Sequence, residues 1–497
     1  MGLKLSRSSS NRSSLGAIAA SAALLVALGG CTAGCKVDDS ASSTQQAPAV
    51  RSVSEEAALA DFDRMWQLVN DTHFDTTFNG TDWEAVRDEL RPQAAQAQNR
   101  REIRGIMSEA LGRLGVSHFG IIPQAPADHT PATSTGESDD AGDHDQDHDH
   151  ETNALVPDDS ATDGMGNADT GIEVRIIDMQ VLVTKVRADS PADHAGVKPG
   201  WILSKARTHD MGKVLEELAE SIDENELEIH GVGYISGQLQ GPEGSSIDLT
   251  FIDGTDQEIT LDIERAPMPG EFYKFGNLPP MSTHLDWHKK TFTNEQGHES
   301  DIGVITFNVW MMPIAAKFER AMYELRDTDG IIIDLRGNPG GIGQLAASVS
   351  RFFMSEKGSL GTMKMRGAEL NFNIEPVIVT TWGERLKPFD GPIAVLTDSG
   401  SASTSEVFAG GLQSLNRIEV FGTRSAGMAL PAMMDKLPSG DVLLHAIADF
   451  ETSTGYQLEH GGVVPDHEVK LTRQDLLRGI DSPKAAAMEW IAESVTE

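Results

Sequence analysis

From Asp301 onward, short apolar runs rich in β-branched residues alternate with stretches of helical spacing. The runs are IGVITF, GIIIDLRG, IAVLTD and IEVFG. Between them, Phe318 to Leu325, Gly343 to Phe353 and Ser405 to Leu415 place their apolar residues for one helix face. A chain that alternates strands and helices in this way has few solutions, and the pattern predicts an α/β core.

The stretch DSGSASTSEVF, Asp398 to Phe408, lies at one of these strand-to-helix turns. It follows IAVLTD and opens a helix whose packing face is Val407, Phe408, Gly411 and Leu412. A serine at such a turn points its hydroxyl at the helix N-terminus, where free N–H groups and the positive dipole end stabilise an oxyanion. Upstream, DLRGNPGG (Asp334 to Gly341) is a glycine-rich turn after another strand. Gly341 could offer a second backbone donor there, because glycine lets the backbone approach a substrate closely. A serine alone is a poor nucleophile and needs a base within hydrogen-bond reach.

The chain has 497 residues, with 76 acidic against 40 basic side chains and a formal net charge of −36. That balance argues against a nucleic-acid partner, since phosphate binding needs clustered Lys and Arg. At the N-terminus, Lys4, Arg7 and Arg12 precede an apolar stretch from Leu15 to Leu28, and LGGC follows. This resembles a bacterial lipoprotein signal with Cys31 as the lipid-bearing residue. TAGC, ending at Cys35, is a second candidate. Thr32 after Cys31 implies an outer-membrane anchor facing the periplasm. The only two cysteines lie here, so the folded part carries no disulfide, Cys metal site or cysteine nucleophile.

Residues 1–30 are therefore read as signal peptide and 31–52 as a polar tether. In 53–126, a helical domain, Phe62, Met65, Trp66 and Val69 fall at i, i+3, i+4 and i+7. It ends in GVSHFGIIP, a loop leading into a short strand. Residues 127–170 hold thirteen carboxylates and no Lys or Arg, which predicts a disordered acidic insert. The DHDQDHDH run within it is read as a solvated acidic loop rather than a cation site.

Residues 171–268 resemble a PDZ domain through the strand VLVTKV, then SPADHAGVKPG, then GPEGSSIDLTFI. Trp201 stands where an Asp is usual, and Met211 to Glu228 is a long polar, helix-like insert. The resemblance implies capture of an extended peptide C-terminus by strand addition. Residues 269–497 are read as the α/β core.

DLRGNPGG, SASTSEVF and the upstream PDZ module together resemble the tail-specific, or carboxyl-terminal processing, serine proteases. The match selects Ser403, the middle serine, as nucleophile, with Ser401 and Ser405 structural. The resemblance implies a crotonase- or ClpP-like core. The best-known members activate the serine with a lysine in a T-x-G-K turn. Here that turn is SAGM, Ser425 to Met428, and Met428 cannot take a proton. Ser414 likewise replaces an acidic residue often found near the helix end.

The tricorn-like branch instead uses serine, histidine and glutamate. Its segments match LGVSHFG, giving Ser117 and His118, and LEHGGVVPD, giving Glu459. The resemblance implies that His118 is the general base and later acid, that Glu459 orients it, and that Ser117 supports one of them by a hydrogen bond. The N–H groups of Thr404 and of Gly341 or Gly340 would form the oxyanion hole. Activity should fall as His118 protonates, near roughly 6.5 or shifted by its neighbours. Lys436 is the fallback base. The expected protein is a lipid-anchored serine endopeptidase acting on polypeptides with free C-termini, without metal or cofactor. Its rival is a non-catalytic binding lipoprotein of the same fold.

Overall fold

The computed structural model describes residues 53–123 and 166–495, apart from positions 221, 223 and 279. The leader with Cys31, the tether and residues 127–165 of the acidic insert lie outside the described residues.

Three helices come first: α1 (Glu55–Thr72), α2 (Trp83–Ala94) and α3 (Arg100–Gly112). Each starts behind a side chain that accepts a first-turn N–H, namely Ser54, Asp82 and Asn99. Phe62, Met65 and Val69 are fully buried, as their spacing requires. The helices' common apolar face closes on Leu430, Leu437, Leu443 and Ala446. The helical region and the C-terminal half therefore share one core. After α3 the chain turns through Ser117 and His118 into β1 (Gly120–Ile122), which pairs antiparallel with residues 442–444.

An inserted module follows. Its strands are β2 (Ile172–Ile177), β3 (Gln180–Val186), β4 (Ile202–Ala206), β5 (Ser246–Ile252) and β6 (Glu258–Glu264). They form an antiparallel sheet in that order, leaving β2 at an edge. Helices α4 (Met211–Ala219) and α5 (Glu224–Leu239) bury Leu215, Leu227 and Ile235 with Val183, Leu249 and Phe251. The segment read as a polar insert thus becomes α4 and the first turn of α5, with one apolar face inward. Trp201 packs on Phe251. Arg473 of the core holds the module by donating to the Gly200 and Asp253 carbonyls and to Asp256.

The core sheet contains β7 (Leu285–Thr293), β8 (Glu299–Phe307), β9 (Gly330–Asp334), β10 (Ile393–Thr397), β11 (Glu419–Gly422) and, after two strands of a smaller sheet, β14 (His467–Glu468). Those two are β12 (Ala432–Lys436) and β13 (Val442–Ala446). The main order is β7-β8-β9-β10-β11-β14, antiparallel at β7/β8 and parallel elsewhere. Helices α6 (Met312–Leu325), α7 (Gln344–Ser350) and α8 (Thr404–Ser414) contribute to the core on one face, and α9 (Ser482–Ser494) covers the other. Side-chain alternation decides which residue meets which layer. Ile331 and Ile333 pack with Phe318 and Phe408, while Ile332 between them packs with Met488 and Ile491. A parallel sheet covered on both faces explains why these runs are continuously apolar.

Candidate active site

The glycine turn and the nucleophile loop follow β9 and β10, which are parallel neighbours, so both emerge at the carboxyl ends of adjacent strands. This is where open α/β sheets place their ligand sites. The two loops are stitched together. Ser401 Oγ donates to Leu335 O at 2.8 Å, Ser405 Oγ to Asn338 O at 3.0 Å, and Ala402 N to Asn338 O at 3.1 Å. Ser401 and Ser405 thus hold backbone, as expected of them.

Ser403 precedes α8 with φ 54° and ψ −117°, a backbone conformation that L-residues rarely adopt. Its N–H holds this position by donating to Met428 O at 2.8 Å and Glu406 Oε2 at 3.0 Å. A Cβ on Gly340 would lie 2.6 Å from that of Ser403, so only glycine fits there.

His118 Nε2 lies 3.2 Å from Ser403 Oγ. Its other nitrogen, Nδ1, is 2.7 Å from Ser117 Oγ, and that hydroxyl donates to Glu459 Oε2 at 2.9 Å. Glu459 also accepts Ser117 N at 2.8 Å and Ala429 N at 3.0 Å. The expectation that Glu459 orients His118 is corrected in one respect: the bonds run through Ser117, whose hydroxyl stands between the two. Proton counting then sets the tautomer. Ser117 has one proton and gives it to the carboxylate, so it must accept from Nδ1–H, leaving the Nε2 lone pair facing Ser403.

Burial dominates the electrostatics. It pushes His118, 3% exposed, down to about 3. It also raises the Glu459 carboxyl, against the pull of its three donors.

Gly341 N and Thr404 N have no hydrogen-bond partner among the described residues, and Thr404 is the first residue of α8. Gly340 is different: its N–H donates to Asn338 Oδ1 at 3.0 Å. Gly340 is therefore removed from the oxyanion set and acts by its lack of a side chain. Lys436 is exposed at the end of β12, and His460 is exposed beside Glu459. Met428 is buried with Ala402, Ala426 and, from the module, Ile229. Asp466 braces the sheet by accepting Val420 N. Ser414 bonds Ser453 instead of a charge. No cluster of three or more metal-ligating side chains occurs among the described residues.

Sequence reasoning missed Glu406. It is fully buried and accepts Ser425 Oγ (2.6 Å), Gly427 N (2.7 Å) and Met428 N (2.9 Å) as well as Ser403 N. The signal was the S-x-x-E spacing from Ser403 to Glu406, a capping-box pattern. Asn338, which also braces Phe307 O, was missed too.

Two family models match parts of the chain. Residues 301–469 match the model of peptidase family S41, and residues 54–112 match the tricorn protease C1 domain. A carboxyl-terminal-processing protease of Synechocystis is 24% identical over 412 residues, 82% of this chain and 79% of that protein. A probable CtpA-like serine protease of Staphylococcus aureus is 24% identical over 320 residues, 63% of this chain and 55% of that protein's length. Among solved structures, the photosystem II D1 C-terminal processing protease superposes with a TM-score of 0.50 at 18% identity, covering 86% of this chain and 98% of that one. Mature CPAF complexed with lactacystin gives 0.56 at 12% identity, covering 89% and 99%. The molecule is a serine protease. Residues 301–469 are similar to the peptidase family S41 domain and residues 54–112 to the tricorn protease C1 domain, and the Synechocystis relative is a carboxyl-terminal-processing protease.

Proposed function

We propose that the chain is an endopeptidase in which Ser403 attacks the scissile carbonyl. His118 takes the serine proton and returns it to the leaving amine. Ser117 and Glu459 hold the imidazole in the tautomer that can do so and stabilise the imidazolium once it forms. Gly341 N–H and Thr404 N–H receive the oxyanion. The observation that carries this reading is the unbroken run Ser403 Oγ–His118 Nε2 (3.2 Å), His118 Nδ1–Ser117 Oγ (2.7 Å), Ser117 Oγ–Glu459 Oε2 (2.9 Å). A chain that only bound ligands would have no use for it.

We read the core as crotonase- or ClpP-like and residues 171–268 as a PDZ module that takes free peptide C-termini. The edge strand β2 beside α5 supports strand addition. Glu228 Oε2 already accepts Ile176 N from that edge, so an incoming strand has to displace it. Anchoring through Cys31 on a periplasm-facing outer membrane completes the proposal and rests on the LGGC sequence.

A fluorophosphonate probe tests the chemistry. Covalent labelling of wild type but not Ser403→Ala, with peptide cleavage lost in both Ser403→Ala and His118→Ala, is the expected result. Unlabelled Ser403 in protein that is folded, or unimpaired cleavage by either variant, would overturn it.

A further inference from the structure

One carboxylate ties together the two loops that supply the oxyanion donors. Asp398 Oδ1 accepts Gly337 N at 2.8 Å from the glycine turn and Gly400 N at 3.0 Å from the nucleophile loop. Gly337 lies four residues before Gly341, and Gly400 three before Ser403. Beside the bonds made by Ser401, Ala402 and Ser405, Asp398 is thus a further link that sets the oxyanion donors relative to the nucleophile.

Asp398 takes its counter-charge from the module. Its Oδ2 accepts Arg175 Nε at 2.8 Å, from β2. Both side chains are largely buried, 16% and 17% exposed. The guanidinium also lies close against the glycine turn, where a Cβ on Gly337 would fall 2.0 Å from Arg175 Nη2. Gly337 has φ +67°, a conformation that favours glycine, and any side chain there would displace the guanidinium. A nearby rival for the arginine is Glu228, whose Oε1 is 3.8 Å from Nε. Burial raises the Glu228 carboxyl, and at 2.8 Å against 3.8 Å Asp398 is the arginine's closer partner.

We infer that Arg175, supplied by the inserted module, is a positioning residue of the catalytic centre: by neutralising Asp398 it holds the glycine turn and the nucleophile loop in one register. This rests on the peptidase reading above. Removing the arginine leaves a buried carboxylate without its partner, and such a charge draws in water or shifts its loops. The module itself stays docked, because the Arg473 contacts to Gly200, Asp253 and Asp256 do not involve Arg175.

The test compares full-length wild type, Arg175→Ala, Arg175→Ala/Asp398→Asn and Ser403→Ala by peptide-cleavage kinetics, with melting temperatures alongside. Small misplacements at a reacting centre are costly, so Arg175→Ala should lose kcat on the order of tenfold to a hundredfold. Its KM should stay close to wild type. The double variant should recover most of the loss, because the amide oxygen introduced by Asp398→Asn can still accept Gly337 N and Gly400 N without a charge to balance. Two results overturn the inference: Arg175→Ala with wild-type kcat, or a double variant no faster than Arg175→Ala. A shared drop in melting temperature with no recovery of kcat counts with the second. Ser403→Ala reports separately on the peptidase reading, which fails if that variant matches wild type.

Discussion

Glu406 accepts the backbone N–H of Ser403 at 3.0 Å, so the nucleophile's rare conformation is held by a carboxylate three residues along its own helix. The same side chain receives Ser425 Oγ, Gly427 N and Met428 N from the SAGM turn. It thereby joins the nucleophile to the segment whose next residue, Ala429, donates to Glu459.

Replacing Glu406 by Ala should strand three buried donors, Ser425 Oγ, Gly427 N and Met428 N, and cost on the order of 3 kcal/mol or more of stability, together with most activity. Urea unfolding and peptide cleavage measure the two effects. Glu406 also has a pH signature. Burial raises its carboxyl to about 7, above its ordinary value near 4.5. The folded state then holds the proton between those values, so this group's contribution is fully present below 4.5 and is lost as pH rises through 7. Stability of wild type minus that of Glu406→Gln should fall over that window. A difference that rises there would contradict the assignment.

Ser117→Ala should lower kcat by one to two orders of magnitude, about as much as Glu459→Gln, because either change breaks the single path between carboxylate and imidazole. The double variant should be no worse than the slower single. Additive losses would mean that Glu459 reaches His118 independently of Ser117.

The acid limb of kcat/KM should lie below the ordinary histidine range. Burial pushes His118 down to about 3 and so keeps the imidazole a free base as the pH drops. The sign is that of a group whose neutral form is favoured in the folded enzyme: activity persists on acidification through 6.5 and is lost further down. A pH–rate profile with an apparent pKa at or above about 6.5 would refute it.

Met428→Lys should not create a faster enzyme. Met428 is 2% exposed and its side chain packs among Ala402, Ala426 and Ile229, an apolar setting for an ammonium. The cost of burying that charge should appear as a lower melting temperature, with kcat unchanged or reduced. An increase in kcat would show that the site can still use a lysine base.

The period of apolar residues along 301–422 was enough to determine the α/β class, because strands buried on both faces must read as continuous apolar runs. The same local reading placed Ser403 at a strand-to-helix turn and picked out the helical positions of Phe62, Met65 and Val69. Motif resemblance selected His118, Ser117 and Glu459 as partners. Their order in space is another matter. Ser117 is adjacent to His118 in the chain but 342 residues from Glu459, and nothing local says that its hydroxyl stands between them. Gly340 and Gly341 are indistinguishable as sequence, and Asn338 Oδ1 alone separates the occupied N–H from the free one. The Arg175–Asp398 pair joins positions 223 residues apart, on elements that fold around different cores. Propensity and periodicity act within a turn or two of chain. Hydrogen-bond partners, burial and the pKa shifts that follow from burial are set only when distant segments meet, and those were left to the tertiary structure.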